Sequence, residues 1–174
     1  MHSRMHWRVA SLAAIVVALS VQGLAQPAAP KELSGMIHDY LVTDGERWHV
    51  GGEWSLRLKG DRSTGDFSAK FIGVPRDNPP LFPVSAAHTH FVSVADGDVT
   101  VTRDGNGNLI LTLSGPGTFT GNGNLQSAYS GSQVEVTITG GNTIPYSNFG
   151  MTISPPASEH YGDETFHGVV TRHR

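Results

Sequence analysis

The chain has 174 residues, 12 basic and 15 acidic, with 21 Gly, 10 Pro and no Cys. That length fits a single domain. The missing cysteines exclude disulfide bridges, thiol nucleophiles and cysteine metal clusters together, and without a basic surplus no nucleic-acid partner is expected.

Residues 1–25 have the three parts of a secretory signal peptide. Arg4 and Arg8 precede an apolar run from Val9 to Leu19, and Gly23-Leu24-Ala25 leads to an expected cut at Ala25/Gln26. The run is shorter than the roughly 18–20 apolar residues of a membrane span, so no membrane anchor is expected after cleavage. Export without disulfides fits a bacterial periplasm or medium. Cleavage removes Arg4 and Arg8 but no acidic residue, so the exported domain is more acidic than the whole chain. A Pro/Ala-rich leader is expected over 26–34, followed by one β domain over 35–174.

From there short β-type segments alternate with Gly, Asp and Asn turns. Between Trp48 and Leu58, the residues Trp48, Val50, Trp54, Leu56 and Leu58 fall on one face, and His49, Glu53, Ser55 and Arg57 on the other. Asp61 to Gly65 turns the chain into a strand with Phe67, Ala69 and Phe71 on one face. A Pro-rich break spans Val74 to Pro83, and residues 86–94 read as a strand. The Asp96-Gly97 dipeptide predicts a tight hairpin at Ala95–Asp98. Leu109, Leu111 and Leu113 return after Asp104–Asn108, and Val134, Val136 and Ile138 mark another strand. A segment from Thr143 to Ile153 follows, then a helical turn within Ser154–Tyr161 and a last strand from Phe166 to Thr171.

Short links imply antiparallel neighbours, because parallel pairing needs long crossovers. The expected fold is therefore all-β, an antiparallel barrel of about eight to ten strands, with a two-sheet sandwich or jelly roll as the alternative.

The segment Ala86-Ala-His88-Thr-His90-Phe-Val-Ser-Val94 carries the main chemical signal. Side chains at i and i+2 of a strand point the same way, about 6.6 Å apart along the backbone, so His88 and His90 can converge on one ion. They share their face with Ala86, Val92 and Val94, which points inward, while Phe91 on the opposite face points the other way. His160 and His167 near the C-terminus are the expected further ligands, with Glu159, His49 and Glu53 as other candidates. Zinc or copper accepts such nitrogen and carboxylate donors. Histidines merely hydrogen-bonded inside a barrel or at its rim are the competing reading. Trp48 and Trp54 belong to the core, or line a cavity for a small-molecule ligand if the barrel is hollow.

His88-Thr-His90 followed by Val94-Ala-Asp-Gly-Asp-Val-Thr-Val101 resembles the first metal motif of cupins. That resemblance implies a metal-dependent enzyme. The segment departs from the cupin pattern in having no Glu between His90 and Asp96, and Gly115-Pro-Gly117 does not match the second cupin motif. Ala87–His90 and Phe166–Val170 also resemble CHRD-type secreted β domains.

Other constellations read as structure. Asp104-Gly-Asn-Gly-Asn108 lacks the sixth-position Gly and twelfth-position Glu of a calcium loop and reads as a hairpin connector. The glycines of 115–123 have no Lys or following helix for a phosphate and read as turns or bulges. No Gly-x-Ser-x-Gly elbow is present. Three functions remain open: a metal- or ligand-binding barrel, a metal-dependent enzyme, and a structural or interaction domain.

Overall fold

A computed structural model describes residues 30–43, 45–76, 86–121, 129–141, 144 and 146–174. The expected signal peptide lies outside the described residues, as do 77–83 of the Pro-rich break. The elements run β1 (Glu32–Thr43), β2 (Glu46–Leu58), β3 (Thr64–Pro75), β4 (His88–Arg103), β5 (Leu109–Gly121), β6 (Gln133–Thr139), β7 (Asn148–Ile153), α1 (Ser158–Tyr161) and β8 (Phe166–His173). Each strand pairs antiparallel with the next, and β8 closes on β1 to make an eight-stranded barrel. This is the expected barrel, and closure removes both sheet edges.

Alternation sets which side chains fill it. Leu33, Ile37 and Leu41 of β1 point inward, as do Trp48, Val50, Trp54, Leu56 and Leu58 of β2. Phe67, Phe71, Val92, Phe119, Phe149 and Phe166 complete the interior from the other strands. The apolar side chains that alternate along these strands are covered by closing the sheet around them.

Strand β1 starts at Glu32, inside the segment expected as leader. Leu33 is fully buried there and pairs with both Leu56 and His173, so packing holds residues that composition alone assigns to a tail. The closing seam needs glycine on both sides. A Cβ on Gly35 would lie 1.8 Å from the Val169 carbonyl oxygen, and one on Gly168 would lie 2.1 Å from that of Met36.

The hairpin expected at Asp96-Gly97 does not form. β4 runs on through it, and the register shifts by one residue there against both β3 and β5. Asp96 adopts φ +54°, a left-handed conformation that Asp tolerates better than most residues, and makes a β-bulge. Its amide donates to Asp66 Oδ1 at 3.0 Å, and Lys59 Nζ bridges Asp66 and Asp96 at 2.7 and 2.6 Å. The extra residue flips the alternation, so Val92 and Val94 point inward before the bulge and Val99 after it.

The β4–β5 connection is the expected hairpin loop. Asp104 Oδ1 accepts from the amides of Asn106 and Asn108 at 2.8 and 2.9 Å, and Oδ2 accepts from Asn108 Nδ2 at 2.9 Å. These bonds, the Asn108 side chain first, hold the Asp104 carboxyl below its ordinary pKa of 3.8. A lowered carboxyl pKa favours the fold above the ordinary value, and that contribution disappears as pH falls through the folded value. NMR titration should therefore place the Asp104 midpoint below 3.8, and Asn108→Ala should move it back upward. An unchanged midpoint in the variant would deny Asn108 that role.

Candidate metal centre

In this meander β1, β3, β5 and β7 finish at one end of the barrel, where β2, β4, β6 and β8 begin. His88 and His90 open β4 at that end and face inward, with Phe91 outward and 43% exposed. Lys70 Nζ sits 5.6 Å from the Phe91 ring centroid, covering part of it from outside. Phe91 is accommodated on the outer face, which removes the objection to inward histidines.

His160 arrives from the β7–β8 connection on α1, a single turn folded over the same end. The turn is anchored from two sides. The amide of Ala157 donates to the buried Ser132 Oγ at 2.9 Å, and Thr43 Oγ1 donates to the His160 carbonyl at 3.3 Å. His160 also stacks on Tyr129, with ring centroids 5.9 Å apart and planes at 21°.

The three imidazoles form one cluster. Ring centroids are 4.3 Å apart for His88–His90, 5.2 Å for His90–His160 and 5.6 Å for His88–His160. One nitrogen from each lies within 4.8 Å of the others. Tetrahedral zinc with N at about 2.0–2.1 Å sets its nitrogens about 3.3 Å apart, so ring rotations of roughly an ångström close the set. No other group of three or more such side chains converges among the described residues.

Protonation suits ligation. His88 Nδ1 lies 2.6 Å from the Ala86 carbonyl oxygen, which can only accept, so Nδ1 carries a proton and Nε2 is the nitrogen left to offer a lone pair to a metal. This is how backbone carbonyls orient metal-binding histidines. His90 is 4% exposed. Burial first, then the neighbouring His88 and His160, lower its pKa to about 3, so it is neutral around pH 7. His90 Nδ1 is buried with no hydrogen-bond partner, as is the Tyr161 hydroxyl. Orphaned buried polar atoms cost about 1–3 kcal/mol each. Burial raises the Tyr161 pKa, so the phenol stays protonated.

A cavity of about 200 Å³ adjoins the cluster, with Leu41, Trp48, Val50, Phe71 and Phe166 in its walls. Of the two tryptophans singled out in the sequence, Trp48 lines this cavity, with its ring centroid 5.6 Å from that of His88. Trp54 does not line it; the indole stacks on Phe149 at 4.5 Å deeper in the core. His167 is also elsewhere. Phe166 points inward, so its neighbour points outward, and His167 Nδ1 donates to Asp39 Oδ2 at 2.7 Å on the outer surface. His49 likewise lies outside, its Nε2 3.2 Å from that of His38, while Glu53 and Glu159 are exposed. No motif in the sequence marks Phe71, Gly73 or Tyr161 for the site; register across the barrel brings Phe71 and Gly73 to it, and the α1 turn brings Tyr161.

The fold and site together define an eight-stranded antiparallel barrel with a three-histidine cluster at one end, opening on an apolar cavity. No family model, curated protein or solved structure matches the chain.

Proposed function

We propose that the protein is an exported barrel that binds one divalent transition-metal ion, zinc or copper, through His88, His90 and His160. The observation that carries this reading is the convergence of three imidazole nitrogens within 4.8 Å, one ring already held in the tautomer a ligand needs. Three histidines on two separate elements also bury a nitrogen, His90 Nδ1, that gains nothing from the rest of the protein. The large majority of buried side-chain polar atoms in proteins have a hydrogen-bond partner, from protein or ordered water.

A metal-dependent enzyme is the second reading. Catalytic zinc sites keep three protein ligands and an open fourth position, whereas structural ones close all four. Three ligands beside a cavity fit the open kind. In that case the ion supplies Lewis acidity or a bound hydroxide, and the barrel supplies binding and exclusion of water.

The test is elemental analysis and calorimetric titration of the chain from Gln26 onward, prepared without a histidine tag. One equivalent of zinc or copper is expected, with at least about 100-fold weaker binding in His88→Ala and His160→Ala. A protein that neither retains nor takes up either metal overturns the reading and leaves a structural or interaction domain.

A further inference from the structure

Two properties of the cavity narrow what can occupy the open position, given the metal reading above. The first is charge. Three neutral imidazoles do not offset the double charge of the ion, and no Asp or Glu among the described residues lines the cavity. An uncompensated charge beside apolar walls is costly, so the remaining position favours a donor that brings negative charge. No Lys or Arg among the described residues lines the cavity either, so no cationic side chain described there would hold a second anionic group.

The second property is shape. Gly73, on β3, pairs with His88 on β4 and with Val50 on β2. Among the described residues, a Cβ there would meet only the Trp48 ring within 4 Å, at 3.4 Å. The missing side chain thus leaves room next to the His88 strand, against Trp48. At about 200 Å³ the cavity is smaller than sites for drug-sized ligands. It suits a single ring or a short branched chain, walled by Leu41, Val50, Phe71 and Phe166.

We infer that the site takes a small monocarboxylate with an apolar body, its carboxylate on the metal and its body against Trp48 in the space left by Gly73. The carboxylate supplies charge and the walls supply selectivity for the body. A dicarboxylate or an amino acid would have to bury a second charge that the lining does not pair.

The experiment uses the tag-free protein loaded with cobalt(II), whose visible absorption reports its coordination, titrated at pH 7 with acetate, benzoate and benzamide. Benzoate should bind at least about 10-fold more tightly than acetate, as burial of a ring predicts. It should also bind at least about 10-fold more tightly than benzamide, which has the same shape without the charge. Gly73→Leu should take up one cobalt ion and lose the preference for benzoate over acetate. Cobalt binding with equal affinity for acetate and benzoate, or for benzoate and benzamide, overturns this inference and leaves the metal reading standing. Failure of the wild-type protein to bind cobalt overturns both. Should Gly73→Leu not fold, the three wild-type titrations decide alone.

Discussion

Zinc at about 100 times its dissociation constant is expected to stabilise the folded protein by about 2.7 kcal/mol, because binding to the native state adds directly to its stability. For a chain of this size that corresponds to a rise in Tm of roughly 5–10 °C. His90→Ala should abolish the rise. The replacement removes the most buried of the three ligands and also removes the orphaned Nδ1. Lost packing against Phe71 and Tyr161, whose rings lie 5.4 and 4.7 Å away, opposes the gain from removing that nitrogen. The metal-free Tm therefore says little, and the zinc-dependent increment is the informative quantity. The outer pair His38 and His49, with nitrogens 3.2 Å apart, offers two ligands and serves as the control. His49→Ala should keep the full increment. Calorimetric scans of the three proteins with and without zinc decide the matter. An increment that survives in His90→Ala and disappears in His49→Ala would move the metal to the outer surface.

What sequence could say about this site follows from period-two geometry. His88 and His90 share parity with Val92 and Val94, and that alone points both rings into the barrel. The same logic places Trp48 and Trp54 inside. It fails at Asp96-Gly97, because the dipeptide that closes a hairpin also serves a bulge. The difference is made by β3 and β5, long enough to pair with both halves of β4. A trace of it is present locally, since the inward set changes from Val92 and Val94 to Val99. The choice between His160 and His167 is of another kind. His160 sits on a one-turn helix with no periodicity to read, and its position depends on bonds to Ser132 and Thr43, far away in sequence. His167 falls on the outer face once Phe166 is known to be inside, and that requires the register of the last strand.

Trp48 and Trp54 lie on the same face of β2 but six residues apart, which is about 20 Å along an extended strand, and this separation predicts opposite consequences for their removal. Trp54 is 2% exposed and stacks on Phe149 with planes at 15°, among side chains too tightly fitted to collapse into a void. Trp54→Ala should cost about 3–5 kcal/mol in urea unfolding, the usual range for a large aromatic in a core. The zinc increment in Tm should persist, because the three histidines and the cavity they adjoin are at the other end of the strand. Trp54→Phe should cost much less, since it keeps a ring against Phe149 and deletes the indole N–H, which is buried without a hydrogen-bond partner. Trp48→Ala should leave zinc binding in place and enlarge the cavity beside His88, weakening a ligand that relies on the indole wall. A Trp54→Ala protein with wild-type stability and impaired metal binding would reverse this assignment, making the deeper indole part of the site and the outer one its packing.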